Sequence, residues 1–148
     1  MERILLASDG SEEAGRAADF AARLSASWDI PVDVVHAIPP RHIPPDAPVE
    51  AYARLEHAYV SLREVLMASG RAVVEGAADR VREKGGTVGD EEVLIGDAAR
   101  QIAEYAEMRD VSYIVMGRRG LSDLKGLLLG SVSHRVGQLS GKTLITTE

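Results

Sequence analysis

Near its amino end the chain reads Ile4-Leu5-Leu6-Ala7-Ser8-Asp9-Gly10-Ser11-Glu12-Glu13. The run Ile4 to Ala7 is apolar at every position, the pattern of a short strand buried on both faces, because a half-buried strand would alternate. It stops at Asp9-Gly10-Ser11, a turn signal. Ser11 suits a helix N-cap, and Glu12 and Glu13 favour the electropositive first turn behind it. Ala14, Ala17, Ala18, Ala21 and Leu24 then recur at three and four residues, which predicts a helix with a small-residue face that can pack closely on a sheet. Strand, turn and helix in this order open a βα unit.

The same alternation continues along the chain. Pro31 ends the connection, and Val32-Asp33-Val34-Val35-His36-Ala37 predicts a second strand. The segment from Pro39 to Pro48 holds five of the six prolines and reads as a stiff, extended loop. A long helical stretch follows, with Leu55, Tyr59, Leu62, Leu66, Val73, Ala77 and Val81 expected on one buried face. Gly70 and Gly76 weaken it and mark where it could bend or break. Lys84-Gly85-Gly86 closes it with a basic last turn and glycine beyond. Glu92 to Ile95 predicts a third strand, Asp97 the N-cap of a helix carrying Ile102, Tyr105 and Ala106, and Val111 to Met116 a fourth strand. A helix from about Ser131 to Gln138 and a last strand from Thr143 to Thr146 complete the pattern. Regular alternation implies an α/β fold, an open, doubly wound, five-stranded parallel sheet with helices on both faces, and right-handed crossovers. In such sheets ligands bind at the carboxyl ends of the strands, where the strand order reverses.

Length and composition agree with that reading. A chain of 148 residues is about one domain at roughly 150 residues per domain, so residues 1–148 are expected to form a single domain. With 45% apolar and 27% charged residues it has the balance of an ordinary globular protein. It has no cysteine, which excludes a disulfide framework, a thiolate nucleophile and a cysteine zinc site. Seventeen Lys and Arg against 23 Asp and Glu leave a net charge of −6, which argues against a sequence-independent grip on nucleic-acid phosphates. No apolar run approaches the roughly 18 residues of a membrane span, and the first residues do not have a signal-peptide layout. The expectation is a cytoplasmic protein that binds neither nucleic acid nor membrane.

The segment richest in chemistry is Met116-Gly117-Arg118-Arg119-Gly120-Leu121-Ser122-Asp123-Leu124-Lys125-Gly126-Leu127-Leu128-Leu129-Gly130-Ser131-Val132. It begins where a buried strand should end, and Gly130-Ser131 stands where the next helix should begin. Glycine at 117 and 120 lets backbone approach a ligand and adopt positive φ. Gly130 and Ser131 would offer backbone N–H groups and a hydroxyl at an electropositive helix end, an arrangement that binds phosphate. Arg118, Arg119 and Lys125 add local positive charge. The plainer alternative is a connecting loop whose glycines satisfy turn geometry and whose Ser131 caps a helix.

The spacing Gly117-x2-Gly120-x9-Gly130-Ser131 resembles the nucleotide-binding signature of the universal stress protein family, G-x2-G-x9-G-[ST]. Ile4 to Ser11 is similar to that family's first strand and turn, Val34-Val35-His36-Ala37 to its second strand, and Gly96-Asp97-Ala98-Ala99 with Ile102 to its third βα unit. Val115-Met116-Gly117 and Leu127 to Val132 match its wording closely, and the likeness is weak only from about Pro39 to Gly89. The resemblance implies that Ala7, Ser8 and Asp9 sit by the nucleoside, that Val35 touches adenine, and that Met116 and Gly117 line the pocket. It places Gly120, Gly130, Ser131 and Val132 around the phosphates. The chemistry agrees, since Asp9 can accept from ribose hydroxyls and Ser131 can donate to phosphate oxygens or help hold Mg²⁺. The expected strand order is 3-2-1-4-5. Members of the family commonly dimerise through the last strand; here Leu139 to Glu148 ends in polar residues, which leaves a homodimer expected but its mode open.

Other signals lead elsewhere and fall short. Gly137-Gln138-Leu139-Ser140-Gly141-Lys142-Thr143 misses the phosphate-loop spacing by one residue and reads as a turn before the last strand. Ser8-Asp9-Gly10-Ser11 resembles a pyrophosphatase loop faintly, but Asp9 would stand against the pyrophosphate. A response-regulator receiver needs clustered acids, and Asp9 is alone. His36, His42, His57 and His134 have no metal-ligand spacing, with His36 expected as a packed or hydrogen-bonded residue near the site and His134 at the second turn of its helix. Trp28, Tyr52 and Tyr59 are expected to pack. No serine elbow appears and no general base is evident. The resemblance therefore implies a protein that binds ATP, or AMP or ADP, with Mg²⁺ and acts as a sensor or regulator read by a protein partner, with at most slow hydrolysis. The competing reading is a nucleotide-independent dimeric interaction module.

Overall fold

A computed structural model describes residues 2–40, 48–120 and 129–148. His42 and most of the proline-rich loop, together with Ser122, Lys125 and Gly126, lie outside the described residues. The elements are β1 (Ile4–Ala7), α1 (Glu12–Trp28), β2 (Val32–Ile38), α2 (Val49–Glu83), β3 (Val88–Ile95), α3 (Ala98–Met108), β4 (Tyr113–Gly117), α4 (Ser131–Leu139) and β5 (Thr143–Thr147). They build a five-stranded sheet in the order β3-β2-β1-β4-β5. Every pairing is parallel. This is the doubly wound α/β architecture expected.

The central position of β1 explains its unbroken apolar run. Ile4 and Leu6 enter the core formed with Ala17, Ala18, Ala21 and Ala22 of α1 and Val74, Ala78 and Val81 of α2. Leu5 and Ala7 enter the opposite core, with Ile102, Tyr105 and Ala106 of α3 and Val136 of α4. Alanines on α1 let that helix lie close to the strands. Ser11 caps α1 by accepting the Ala14 N–H at 3.1 Å, and Asp97 caps α3 by accepting the Arg100 N–H at 3.1 Å.

Two elements depart from the expectation. β3 begins at Val88, four residues before the expected Glu92, because Gly89 must lie against Asp33: a Cβ there would stand 2.3 Å from the Asp33 Oδ1. Helix α2 is continuous through Gly70 and Gly76. Gly70 is where it meets the sheet, since a Cβ would lie 3.0 Å from Val93 Cγ1 and 3.3 Å from His36 Cδ2. Of the face expected to be buried, only the carboxyl half is. Val74, Ala77, Ala78 and Val81 are in the core, whereas Leu55 and Leu62 are exposed. Most residues of the amino half are exposed. Among the described residues no helix is long and apolar enough to cross a membrane.

At the amino ends of the strands lies a network of charges. Asp33, fully buried, accepts from Arg3 Nη1 at 2.7 Å and from the Asp90 N–H at 2.9 Å. Arg3 also reaches Asp90 at 3.2 Å, and Arg109 bridges Asp90 and Glu92 at 3.3 and 2.7 Å. Burial, together with the neighbouring Asp33 carboxylate, holds the Tyr105 phenol well above its usual range.

Candidate functional site

The strand order reverses around β1, whose neighbours are β2 and β4. A pocket of about 250 Å³ opens there at the carboxyl ends of the strands. That is slightly below the roughly 300–1,000 Å³ of small-molecule sites, which suits a site that covers one part of its ligand and leaves another exposed. Its lining includes Ala7, Ser8 and Asp9 after β1, Val35 on β2, Met116 and Gly117 closing β4, and Gly120 and Val132. Eight of the ten residues singled out by the sequence thus line one cavity. Gly130 and Ser131 stand beside it, as the N-cap and first residue of α4, and are not part of the lining.

Local chemistry fixes the floor. The Asp9 Oδ1 accepts the Ser11 N–H at 2.9 Å, which bends the chain into a turn. Gly10 sits at φ +79°, in the left-handed region open to glycine. The imidazole of His36, which lines the pocket, donates from Nδ1 to the Ser8 carbonyl at 2.7 Å and so ties β2 to the end of β1. This is the hydrogen-bonded role expected for His36. Ala37, Ala98 and Ile102 add apolar wall that the sequence motifs did not single out.

The glycines act differently from the expectation. Gly117 is the last residue of β4 and does not take positive φ. It is needed for close approach, since a Cβ would lie 3.0 Å from Glu13 Cβ and 3.1 Å from the Arg119 carbonyl oxygen. The Gly130 N–H is engaged as well, donating to the Arg118 carbonyl at 2.8 Å. Ser133 Oγ donates to the same carbonyl at 2.7 Å, so the first turn of α4 is latched to the start of the loop. Because the N-cap of α4 is glycine, it makes no side-chain cap hydrogen bond, unlike Ser11 of α1 and Asp97 of α3.

The arginines are paired more than expected. Arg119 donates to Glu13 through its backbone N–H at 2.8 Å and through Nη2 at 3.1 Å. Arg118 pairs with the Glu148 carboxylate, and its N–H donates to the Thr147 carbonyl at 2.7 Å. Their local positive charge is therefore largely balanced. The buried Nε–H groups of both have no hydrogen-bond partner among the described residues. Among the described residues no cluster of three or more metal-ligating side chains occurs.

The fold and site together define a doubly wound α/β protein with a pocket at its switch point and a glycine-capped helix at the rim. The model of the universal stress protein family matches residues 1–145. The chain belongs to the universal stress protein family. It is 32% identical over 139 residues to the universal stress protein YxiE of Bacillus subtilis, covering 93% of each chain. It is similar to the solved structure of the hypothetical protein MJ0577 at a TM-score of 0.80 and 25% identity, covering 99% of this chain and 94% of that one. It also shares the fold of a universal stress protein solved in complex with cAMP, at a TM-score of 0.73 and 24% identity, covering 99% and 97%.

Proposed function

We propose that this protein binds an adenine nucleotide at the switch-point pocket, ATP with Mg²⁺ in the first instance, and acts as a sensor or regulator. One observation carries the reading. A pocket with apolar walls at Val35, Met116 and Ile102 opens beside a helix whose glycine N-cap makes no side-chain cap bond, and the buried Arg118 and Arg119 Nε–H groups have no hydrogen-bond partner among the described residues. The apolar part fits a base, Asp9 fits ribose hydroxyls, and the helix end with the Ser131 hydroxyl fits phosphate. A related fold holds cAMP. Magnesium would be held by the phosphate oxygens and water, with Ser131 as the protein donor; when bound it neutralises phosphate charge.

The retained nucleotide is the signal in this mechanism, and a partner reads the occupied state. Hydrolysis is at most slow, because the motifs supply no general base. To test the reading, protein is purified, denatured and its supernatant resolved against nucleotide standards, and ATP with Mg²⁺ is titrated calorimetrically. Stoichiometric adenine nucleotide, or saturable binding lost in Gly130→Val, supports it. Absence of both refutes it.

A second reading rests on the pairing of Arg118 with Glu148 and Arg119 with Glu13. The start of the loop is held by the chain's own acids, as a nucleotide-independent interaction module would require. Under it Gly130→Val leaves partner binding intact.

A further inference from the structure

Building on the nucleotide reading of the switch-point pocket, we propose that Glu148 is a built-in competitor for the anionic end of the ligand. Arg118 trades this carboxylate for a phosphate when the pocket fills, and so senses phosphate charge. Arg118 stands at a junction. It follows β4, lines the pocket and pairs through Nη1 with the Glu148 carboxylate. Its carbonyl accepts the Gly130 N–H at 2.8 Å and the Ser133 hydroxyl at 2.7 Å, so its main chain abuts the amino end of α4. On the other side its N–H donates to the Thr147 carbonyl at 2.7 Å. The residue thus lies between the helix end proposed for phosphate and the strand that carries the competing acid.

Two observations mark the pair as exchangeable. The first is an unmet donor. Glu148 meets Arg118 at Nη1, and the buried Arg118 Nε–H has no hydrogen-bond partner among the described residues. A buried donor without a partner carries a desolvation cost that a better-placed acceptor removes. A phosphate presents several oxygens and can take a guanidinium two N–H groups at a time. The second is exposure. The Glu148 side chain is 74% exposed, so it leaves Arg118 for water at little cost, because exposed ion pairs are weak. The neighbouring pair is the fixed one. Glu13 is only 15% exposed and accepts both the Arg119 N–H at 2.8 Å and the Arg119 Nη2 at 3.1 Å.

The competitor is always at hand. Arg16 Nε donates to the Glu148 carbonyl, and the Arg118 N–H holds the Thr147 carbonyl before it, so the main chain stays docked when the carboxylate lets go. A tethered acid acts at a high effective concentration, which lowers the affinity of any anion that needs Arg118. The ligands that feel this exchange are those carrying phosphate. An uncharged nucleoside neither displaces Glu148 nor benefits from its loss.

Calorimetric titration of the full chain in about 0.15 M salt, where repulsion between exposed charges is screened, tests this. The ligands are ATP with Mg²⁺, adenosine and inorganic tripolyphosphate, and the variants are Glu148→Gln, Arg118→Gln and the two combined. Glu148→Gln is expected to tighten ATP and tripolyphosphate about two- to fivefold, the worth of an exposed pair, and to leave adenosine unchanged. Arg118→Gln is expected to weaken both anions about tenfold, and in that background Glu148→Gln should gain nothing. A second readout needs no glutamine at 118. The Arg118 Nε–H resonance, assigned by its loss in Arg118→Lys, should shift when tripolyphosphate is added. An equal gain from Glu148→Gln with and without Arg118 means simple repulsion and overturns the proposal. So does no gain at all, or a resonance that stays in place while the anion binds. Coupled binding of tripolyphosphate without binding of ATP or adenosine sustains the exchange and removes the adenine reading. If neither the unaltered protein nor Glu148→Gln binds any of the three, both fall.

Discussion

Replacing Asp33 by alanine removes the hub of the charge network at the amino ends of the strands. Its Oδ1 takes the Arg3 guanidinium at 2.7 Å and the Asp90 amide at 2.9 Å, and the Tyr105 hydroxyl stands 3.5 Å from Oδ2. The orphaned Asp90 amide costs about 1–3 kcal/mol. Breaking a fully buried ion pair costs about 3–5 kcal/mol, but Arg3 is 30% exposed and keeps Asp90 at 3.2 Å, so its share is well below that. The Tyr105 bond is too long to add much. The sum is about 3 kcal/mol, or a fall in Tm of roughly 6–12 °C for a chain of this size. Asn at this position still accepts the Asp90 amide and should lose about half as much. Urea unfolding followed through Trp28, the one tryptophan, whose ring lies 5.1 Å from that of Tyr113, measures both. A loss under about 1 kcal/mol for alanine, or equal losses for the two variants, refutes the reasoning. Nucleotide affinity per folded molecule should be unchanged, since Asp33 does not line the pocket.

Three further outcomes are expected. Gly117→Val places atoms 3.0 Å from Glu13 Cβ and 3.1 Å from the Arg119 carbonyl, so it should destabilise by about 1–3 kcal/mol and weaken ATP binding, which urea titration and calorimetry read separately. Ser11→Ala removes the α1 cap bond of 3.1 Å and should cost about 1 kcal/mol in chemical denaturation. The Arg135 guanidinium, followed by the Arg100 amide, holds the Asp97 carboxyl below the usual carboxylate range. A depressed folded value means this pairing stabilises above about pH 4 and its contribution is lost as the pH falls from there. Asp97→Asn keeps the cap and removes the charge, so urea midpoints at pH 5 and pH 2.5 should differ less than in the unaltered protein; an undiminished difference contradicts the assignment.

The parts legible in the sequence were those where burial is complete. β1 was read to the residue because both its faces are covered, which leaves no polar position to blur the pattern. The site residues at the strand ends were legible because turn chemistry at Asp9 and Gly10 and glycine spacing after Met116 are local. Readings failed where a distant partner supplies the reason. The start of β3 looks unlike a strand, with Gly89, Asp90 and Glu91, until Asp33 and Arg3 are placed beside it. Periodicity along α2 was real, but period alone does not say whether a stripe meets the chain's own core. Arg118 and Arg119 read as phosphate-binding charge because Glu13 and Glu148 are remote in sequence.

Glu148 gives the site an unusual neighbour. Its carboxylate pairs with Arg118, its carbonyl accepts from Arg16 Nε, and the preceding Thr147 carbonyl takes the Arg118 N–H. The polypeptide therefore leaves the sheet at the mouth of the pocket. A spectroscopic label on the Glu148 side chain would stand beside Arg118 of the pocket lining and would report on a ligand bound there.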